Sequence, residues 1–269
     1  MKFVLFFIVS CTLLTATSLA ATRIVVMSPA VSPILQQMGL ASSVVGTTYN
    51  DELFPEATRV GSHLSPNIEL IKALQPGLLI VGSERAFPNA LAERFGTDLF
   101  RYDPRDLEEI LASVRQLGER LDRRRETETM IDRARTKLSS VTPLSEPVSA
   151  VFEISQRPLK VAGQHNIVTS MIEAAGGRNL VTVEAKHVLL SPEKVLVLNP
   201  RVYIYQNGPM NKNPRHPRQR SVFTHLNSLV IEVDQLQFTR PGLNTFDAVL
   251  ELHQVFIRST AQADRSSID

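Results

Sequence analysis

The chain carries one construction twice. LSPNIELIKALQPGLLIVG begins at Leu64 and LSPEKVLVLNPRVYIYQNG begins at Leu190. In each copy a serine precedes a proline (Ser65-Pro66, Ser191-Pro192), the pairing that caps a helix and fills its first position. About two turns of helix follow, then an x-Pro breaker (Gln75-Pro76, Asn199-Pro200), then an apolar strand. A unit that recurs once, so far apart, predicts two lobes of like construction rather than a repeat array.

The rest of the chain fits that expectation. Ile24–Met27, Val44–Gly46, Leu78–Val81 and Leu99–Tyr102 read as short buried strands, with helical stretches between them, one running to Met38 and stopped by Gly39. Asp103-Pro104 reads as the cap and first position of a further helix, whose Leu107, Ile110, Leu111, Val114, Leu117 and Leu121 share one stripe. Residues 122–129, DRRRETET, hold no apolar side chain, and Met130, Ile131, Ala134, Leu138 and Val141 then resume a stripe up to Thr142-Pro143. A mostly polar helix in mid-chain suits a bridge between lobes. Strands are expected again at Val148–Ile154, Leu159–Ala162, Val202–Tyr205 and Leu229–Val233, with helices over 167–175, closed by Gly176-Gly177, and 244–258. Alternating β and α predicts an α/β fold of two Rossmann-like lobes, each with a mainly parallel sheet, joined by one long backbone helix. The expected divisions are an N-terminal lobe over 21–121, a connecting helix over 122–143 and a C-terminal lobe over 144–269.

Residues 1–20, MKFVLFFIVSCTLLTATSLA, have the form of a secretory signal peptide: Lys2, an apolar run, and small residues before a cut after Ala20. The apolar run is too short for a transmembrane helix. A soluble chain exported to a bacterial periplasm, with no membrane insertion after cleavage, is expected. Cys11 is the one cysteine, so a disulfide framework and a multi-cysteine metal site are excluded. Lys and Arg number 29 against 27 Asp and Glu, which leaves no strong field for nucleic acid.

Motifs of catalysis are missing: GxSxG, HExxH, GxxxxGK[ST] and GxGxxG do not occur. Export, two similar lobes and no catalytic motif favour a cleft binder over an enzyme. The chain resembles the periplasmic binding proteins of ABC importers for iron chelates, haem and cobalamin. The resemblance rests on RIVVMSP at 23–29, GL at 39–40, VVGTT at 44–48, VGSHLSPNIELIKALQPGLLI at 60–80, VAGQHNIVTSMIEAAGGRNLV at 161–181, SPEKVLVLNPRVYI at 191–204 and TRPG at 239–242. It implies capture and delivery of a ligand to an ABC permease dimer by a monomeric protein, with no bond made or broken and no cofactor as a catalyst.

It also implies site residues. Glu69 and Glu193, at the starts of the echoed helices, fall where the family docks on permease arginines; a glutamate there also simply complements a helix dipole. Ligand contacts are expected between the lobes, on loops after strand ends, from Tyr49, His63, His165, His187 and Arg240. Tyr49 matches a ligand-contacting tyrosine of the cobalamin binders, whereas His63 and His187 replace their aromatic residues. Histidine is a common iron ligand, so His63, His165 and His187 are the candidate axial ligands of a haem iron. The loop NGPMNKNPRHPRQR at 207–220 carries Lys212, Arg215, Arg218 and Arg220, which suit either carboxylates of an anionic chelate or plain solvent. Haem is expected first and an iron siderophore second. The alternatives are a corrinoid, a bare metal ion held by convergent histidines, or an exported metal-assisted α/β hydrolase.

Overall fold

Runs of β-branched and apolar residues form the strands of two separate sheets. The computed structural model describes residues 22–266, and the signal segment expected over 1–20 lies outside them. The first sheet is built from β1 (Ile24–Val26), β2 (Val44–Thr47) and β3 (Thr58–Arg59). A small hairpin of β4 (Gly61–Ser62) and β5 (Ser65–Pro66) comes next, and β6 (Leu78–Val81) and β7 (Asp98–Arg101) complete the sheet. Its order is β3-β2-β1-β6-β7, every neighbouring pair parallel. Helices α1 (Ser32–Gln37), α2 (Ile68–Ala73) and α3 (Asn89–Ala92) lie between its strands in the chain. Every residue of β1 and β6 is buried, as expected of parallel strands covered on both faces.

Next come α4 (Leu107–Arg120) and α5 (Arg124–Ser139). The turn between them places Asp122 in the left-handed region, at φ 53°, and the helices double back on one another, with Arg115 paired to Glu128 at 2.7 Å. A Cβ on Gly118 would collide with Thr127, so the close approach of the two helices requires glycine there. Both helices run between the lobes. The Leu107 N–H that opens α4 donates to Ser170 Oγ of the second lobe at 3.2 Å, while Arg120 at its end pairs with Asp98 of the first. Arg123 donates to the Met38 carbonyl, and Lys137, near the end of α5, reaches Asp247. The cap of α4 is Asp106, not Asp103: Asp106 accepts the Glu109 N–H at 2.7 Å, and Glu109 accepts the Arg105 N–H. A D-x-x-E box two residues inside the proline outcompetes the Asp-Pro pair.

The second sheet contains β8 (Val148–Ser155), β9 (Lys160–Ala162), β10 (Gly177–Asn179), β11 (His187–Leu189), β12 (Val202–Asn207) and β13 (Leu229–Asp234). Helices α6 (Ile167–Ala174), α7 (Pro192–Leu198), α8 (Gln235–Phe238) and α9 (Thr245–Ser266) accompany it. The order is β11-β9-β8-β12-β13, with β10 also on β8. β8 pairs in parallel with β10 and β12, as does β12 with β13, but β9 runs antiparallel to both β8 and β11, so this sheet is mixed. Only a four-residue turn joins β8 to β9, too short for the crossover that a parallel neighbour needs. Gly176 ends α6 at φ 90°, whereas Gly177 already belongs to β10 rather than to the helix stop.

The echo survives with one shift. Ser191 caps α7 as expected, accepting the Lys194 N–H at 3.2 Å, with Pro192 at the first position. In the first copy Ser65 and Pro66 are taken up by the β4–β5 hairpin, and Asn67 caps α2 by accepting from Leu70 N–H. Moving that cap by two residues brings the copies into one register. Ile68 and Pro192, Glu69 and Glu193, Gln75 and Asn199, and Leu78 and Val202 are each 124 residues apart. One apolar core, continuous from Ile24 through Leu111 and Ile131 to Phe256, links the lobes through α4 and α5.

Candidate functional site

The C-terminal ends of the parallel strands face one another where the lobes meet, the position at which α/β sheets hold ligands. Tyr102, just past β7, donates its hydroxyl to the Pro241 carbonyl at 3.2 Å, and burial raises its phenol above the usual range. Beside this contact is a cavity of about 190 Å³. The first lobe supplies Pro104 and Arg105 to its wall; the second supplies Ile154, His165, Lys186, His187, Met210, Thr239 and Pro241 among others.

The two histidines reach this cavity through β9. His187 opens β11 opposite Ala162, and His165 N–H donates to the Ala185 carbonyl at 3.2 Å. Asn166 both caps α6, accepting from Val168 N–H, and donates its amide to the Lys186 carbonyl. A Cβ on Gly163 would strike the carbonyls of Val183 and Ala185, so glycine is what lets the 183–186 segment close over the end of β9. His165 Nε2 stands 2.9 Å from Glu184, with both side chains largely in solvent.

His187 differs. Partial burial first, then the charges of Lys186, Lys160 and Arg85, hold its imidazole below the usual histidine value. Arg85 belongs to the first lobe, so this ring senses charge from both sides of the cleft. Lys186 also meets Asp103 of the first lobe at 3.7 Å, a long ion pair between an exposed lysine and a half-buried aspartate that contributes little stability. Asp103, expected as a helix cap, thus stands at the lobe junction instead.

The remaining candidates do not line the cavity. Tyr49 follows β2 and is 63% exposed; its N–H donates to the Gly61 carbonyl at 2.9 Å, which sets it beside the β4–β5 hairpin. That loop is anchored by buried Asp51, which accepts from the hydroxyls of Ser32 and Thr47. His63 is at the hairpin tip, exposed. Arg240 is half-buried between the cavity residues Thr239 and Pro241. The cleft therefore brings His165 and His187 together, with Tyr49 and His63 on a separate first-lobe surface. Among the described residues no three His, Cys, Asp or Glu side chains converge as a metal site. Lys186, Arg105 and Arg85 escaped sequence reasoning because single cations in loops carry no spacing; adjacency to His187 was the one signal for Lys186.

Glu69 and Glu193 are each the second residue of their helix and exposed. The Glu193 carboxyl is lowered by its own backbone N–H and by the Ser191 hydroxyl, so it stays charged. Of the basic loop, Arg220 turns inward: it is buried against Glu153, itself fully buried, which also accepts from the Tyr203 hydroxyl. It is neither a cleft cation nor a solvated one.

Comparison with known proteins agrees with this geometry. Residues 24–216 match the family model described as periplasmic binding protein. The uncharacterized ABC transporter substrate-binding lipoprotein YvrC of Bacillus subtilis is 23% identical over 248 residues, 86% of this chain and 78% of its own. The vitamin B12-binding protein of Vibrio cholerae is 24% identical over 246 residues, 88% of this chain and 89% of its own. Among solved structures, S. aureus IsdE complexed with haem superposes with a TM-score of 0.75 at 18% identity, over 87% of this chain and 98% of the other, a likeness of fold. Two α/β lobes around a cleft, with the family model covering most of the chain, lead to one conclusion: the chain belongs to the periplasmic binding protein family, as the substrate-binding component of an ABC transporter that delivers a small ligand to its permease, and it is not an enzyme.

Proposed function

We propose that the cargo is haem, held at the lobe junction with His187 as an axial ligand of its iron. The observation that carries this reading is the imidazole of His187 in the wall of the junction cavity, held below the usual histidine value by partial burial and then by the cations around it, which favours its neutral, metal-binding form. Those cations have a second use. Lys186 and Arg105 in the cavity wall, with Arg85, Lys160 and Arg240 nearby, suit the two propionates of haem better than an uncharged amide-bearing ligand. At about 190 Å³ the cavity is smaller than the ~300–1,000 Å³ of pockets that enclose a drug-sized molecule, so it seats an edge of the macrocycle. The rest of the macrocycle lies outside it. With no Trp in the chain and Tyr49 the one strongly exposed tyrosine, there is little flat surface for a corrin ring.

Titration of the protein with haemin, followed by absorption, tests this. A shifted Soret band that saturates at one equivalent, and its loss or displacement in His187→Ala, is the expected result. Unchanged spectra in that variant would move iron ligation elsewhere or the cargo to an anionic siderophore. Tight binding of cyanocobalamin with none of haemin would establish the corrinoid reading, which the Vibrio cholerae relative's name favours.

Delivery is the second half of the function. We propose that Glu69 and Glu193 meet basic residues of the permease, one acid from each lobe. Their identical position in two helices of one register supports this, as does the lowered carboxyl of Glu193.

A further inference from the structure

Glu153 is a fully buried carboxylate to which the cleft reading gives no task. It lies near the C-terminal end of β8, opposite Tyr205 of β12. Arg220 donates to both of its oxygens, Tyr203 donates its hydroxyl to Oε2 at 2.5 Å, and Asn211 Nδ2 lies 3.4 Å from Oε1. Arg220 and Asn211, each 6% exposed, come from the loop 208–220, whose sequence holds no acid of its own. An ion pair this deep gives up its hydration, and apolar side chains of like volume often fill such a space with no loss of stability. What the pair supplies instead is a single arrangement of the chain that carries it.

The loop is tied to this carboxylate along its length. Arg220 Nε donates to the Arg215 carbonyl at 2.8 Å, and the Arg215 N–H donates to Gln156 Oε1 at 3.0 Å. Asn211 accepts the Gln156 N–H at 2.9 Å and donates to the Gln206 carbonyl at 2.8 Å. Gly208 and Asn211 exchange backbone hydrogen bonds, and the Met210 N–H between them donates to Gln235 Oε1 at 2.7 Å. Asn211 and Arg220 are turned inward in this way, while Met210, Lys212, Arg215 and Arg218 stay exposed. Met210 and Gln235 line the junction cavity. Arg215, Arg220 and Gln156 line a hollow of about 380 Å³ on the loops that follow β8 and β12, at the strand ends that face the cleft. One loop thus shapes the second-lobe side of the cleft at both places.

We propose that Glu153 and Arg220 are positioning residues of the ligand site: the buried pair fixes the 208–220 loop, and with it Met210 and Arg215, as a preformed wall of the cleft. The proposal rests on the reading of the cleft as the ligand site, but not on which chelate fills it. Arg220 acts through the loop, because its guanidinium is engaged by Glu153 and by the Arg215 carbonyl. A wall already held in its bound arrangement loses less freedom when cargo arrives, so affinity depends on a carboxylate that lies beneath the surface.

Glu153→Gln combined with Arg220→Gln removes both charges together, so neither is left buried alone. Two measurements on the full chain are needed. Trypsin, with no cargo present, reads the loop through cleavage after Lys212, Arg215 or Arg218; haemin titration reads the cleft. The double variant should keep the parent's far-ultraviolet circular dichroism and a single cooperative urea transition. It should nevertheless be nicked in the loop several times faster and bind haemin about tenfold more weakly, corresponding to about 1.4 kcal/mol. Arg220→Lys keeps the charges paired but gives up the fork, and should fall between parent and double variant in both measurements; it carries the test if the double variant does not fold. Loop cleavage at the parent rate in the folded variants overturns the proposal, and so does faster cleavage with unchanged haemin affinity, which would leave the pair a structural element only. A parent that binds cyanocobalamin but no haemin, with the same dependence on Arg220, would overturn the haem reading and leave the positioning role standing.

Discussion

At the scale of single residues the proposed haem site turns on the proton equilibrium of His187. Partial burial disfavours a positive charge on its ring, and the charges of Lys186, Lys160 and Arg85 act in the same direction. A neutral imidazole can ligate iron and a protonated one cannot. Haem bound through His187 should therefore persist below the ordinary imidazole value of about 6.5 and be released as pH falls through the lowered one. Lys186→Gln removes one opposing charge, raises the histidine value and shifts acid release to higher pH. Soret absorbance followed against pH at saturating haem checks this; a midpoint that moves to lower pH, or not at all, contradicts it. Residue-level chemistry was only partly legible in the sequence. His165 and His187 were visible as histidines on cleft loops, but nothing local announces that Arg220 leaves its basic loop for Glu153, since those two residues are 67 positions apart. Asp103 misled for the opposite reason: a good local capping pair was present, and a better one lay at Asp106 and Glu109.

Among the elements, the helix–strand units of the two lobes are the most legible part of the chain. Their buried strands are continuous apolar runs, and their corners carry proline, which no helix continues through. The first cap was misplaced because Ser65 serves a hairpin that propensity alone does not reveal. Both corners demand the left-handed conformation, at φ 46° for Gln75 and φ 44° for Asn199. Asparagine tolerates that region and glutamine does not. Gln75→Gly should therefore raise stability by about 0.5–1 kcal/mol, the left-handed penalty less the greater freedom of glycine in the unfolded chain, whereas Asn199→Gly should be close to neutral. Urea denaturation midpoints of the two variants decide the matter, and a loss of stability in Gln75→Gly would count against it. The antiparallel β9 and β11, three residues each, were harder to read, because segments so short show no period.

For the whole molecule, the consequence of the shared register is that one acid stands at the same helical position in each lobe. Glu69→Arg with Glu193→Arg should abolish uptake in cells that depend on this chain, while the purified protein keeps its ligand affinity, because both side chains are exposed and neither lines the junction cavity. Normal transport by the double variant would leave the two glutamates as dipole-complementing residues only. The α4–α5 pair bears on how the cargo gets out. A lone helix joining two bodies is an axle about which they can swivel. Two antiparallel struts, locked together at Gly118 and Thr127 and fastened at both ends, are a beam that resists torsion. We expect unloading to come from loop displacement at the mouth of the cleft rather than from the lobes swinging apart. Spin labels on α2 and α7 should report nearly the same separation in empty and loaded protein, and a broad opening between those states would show the beam to be a hinge.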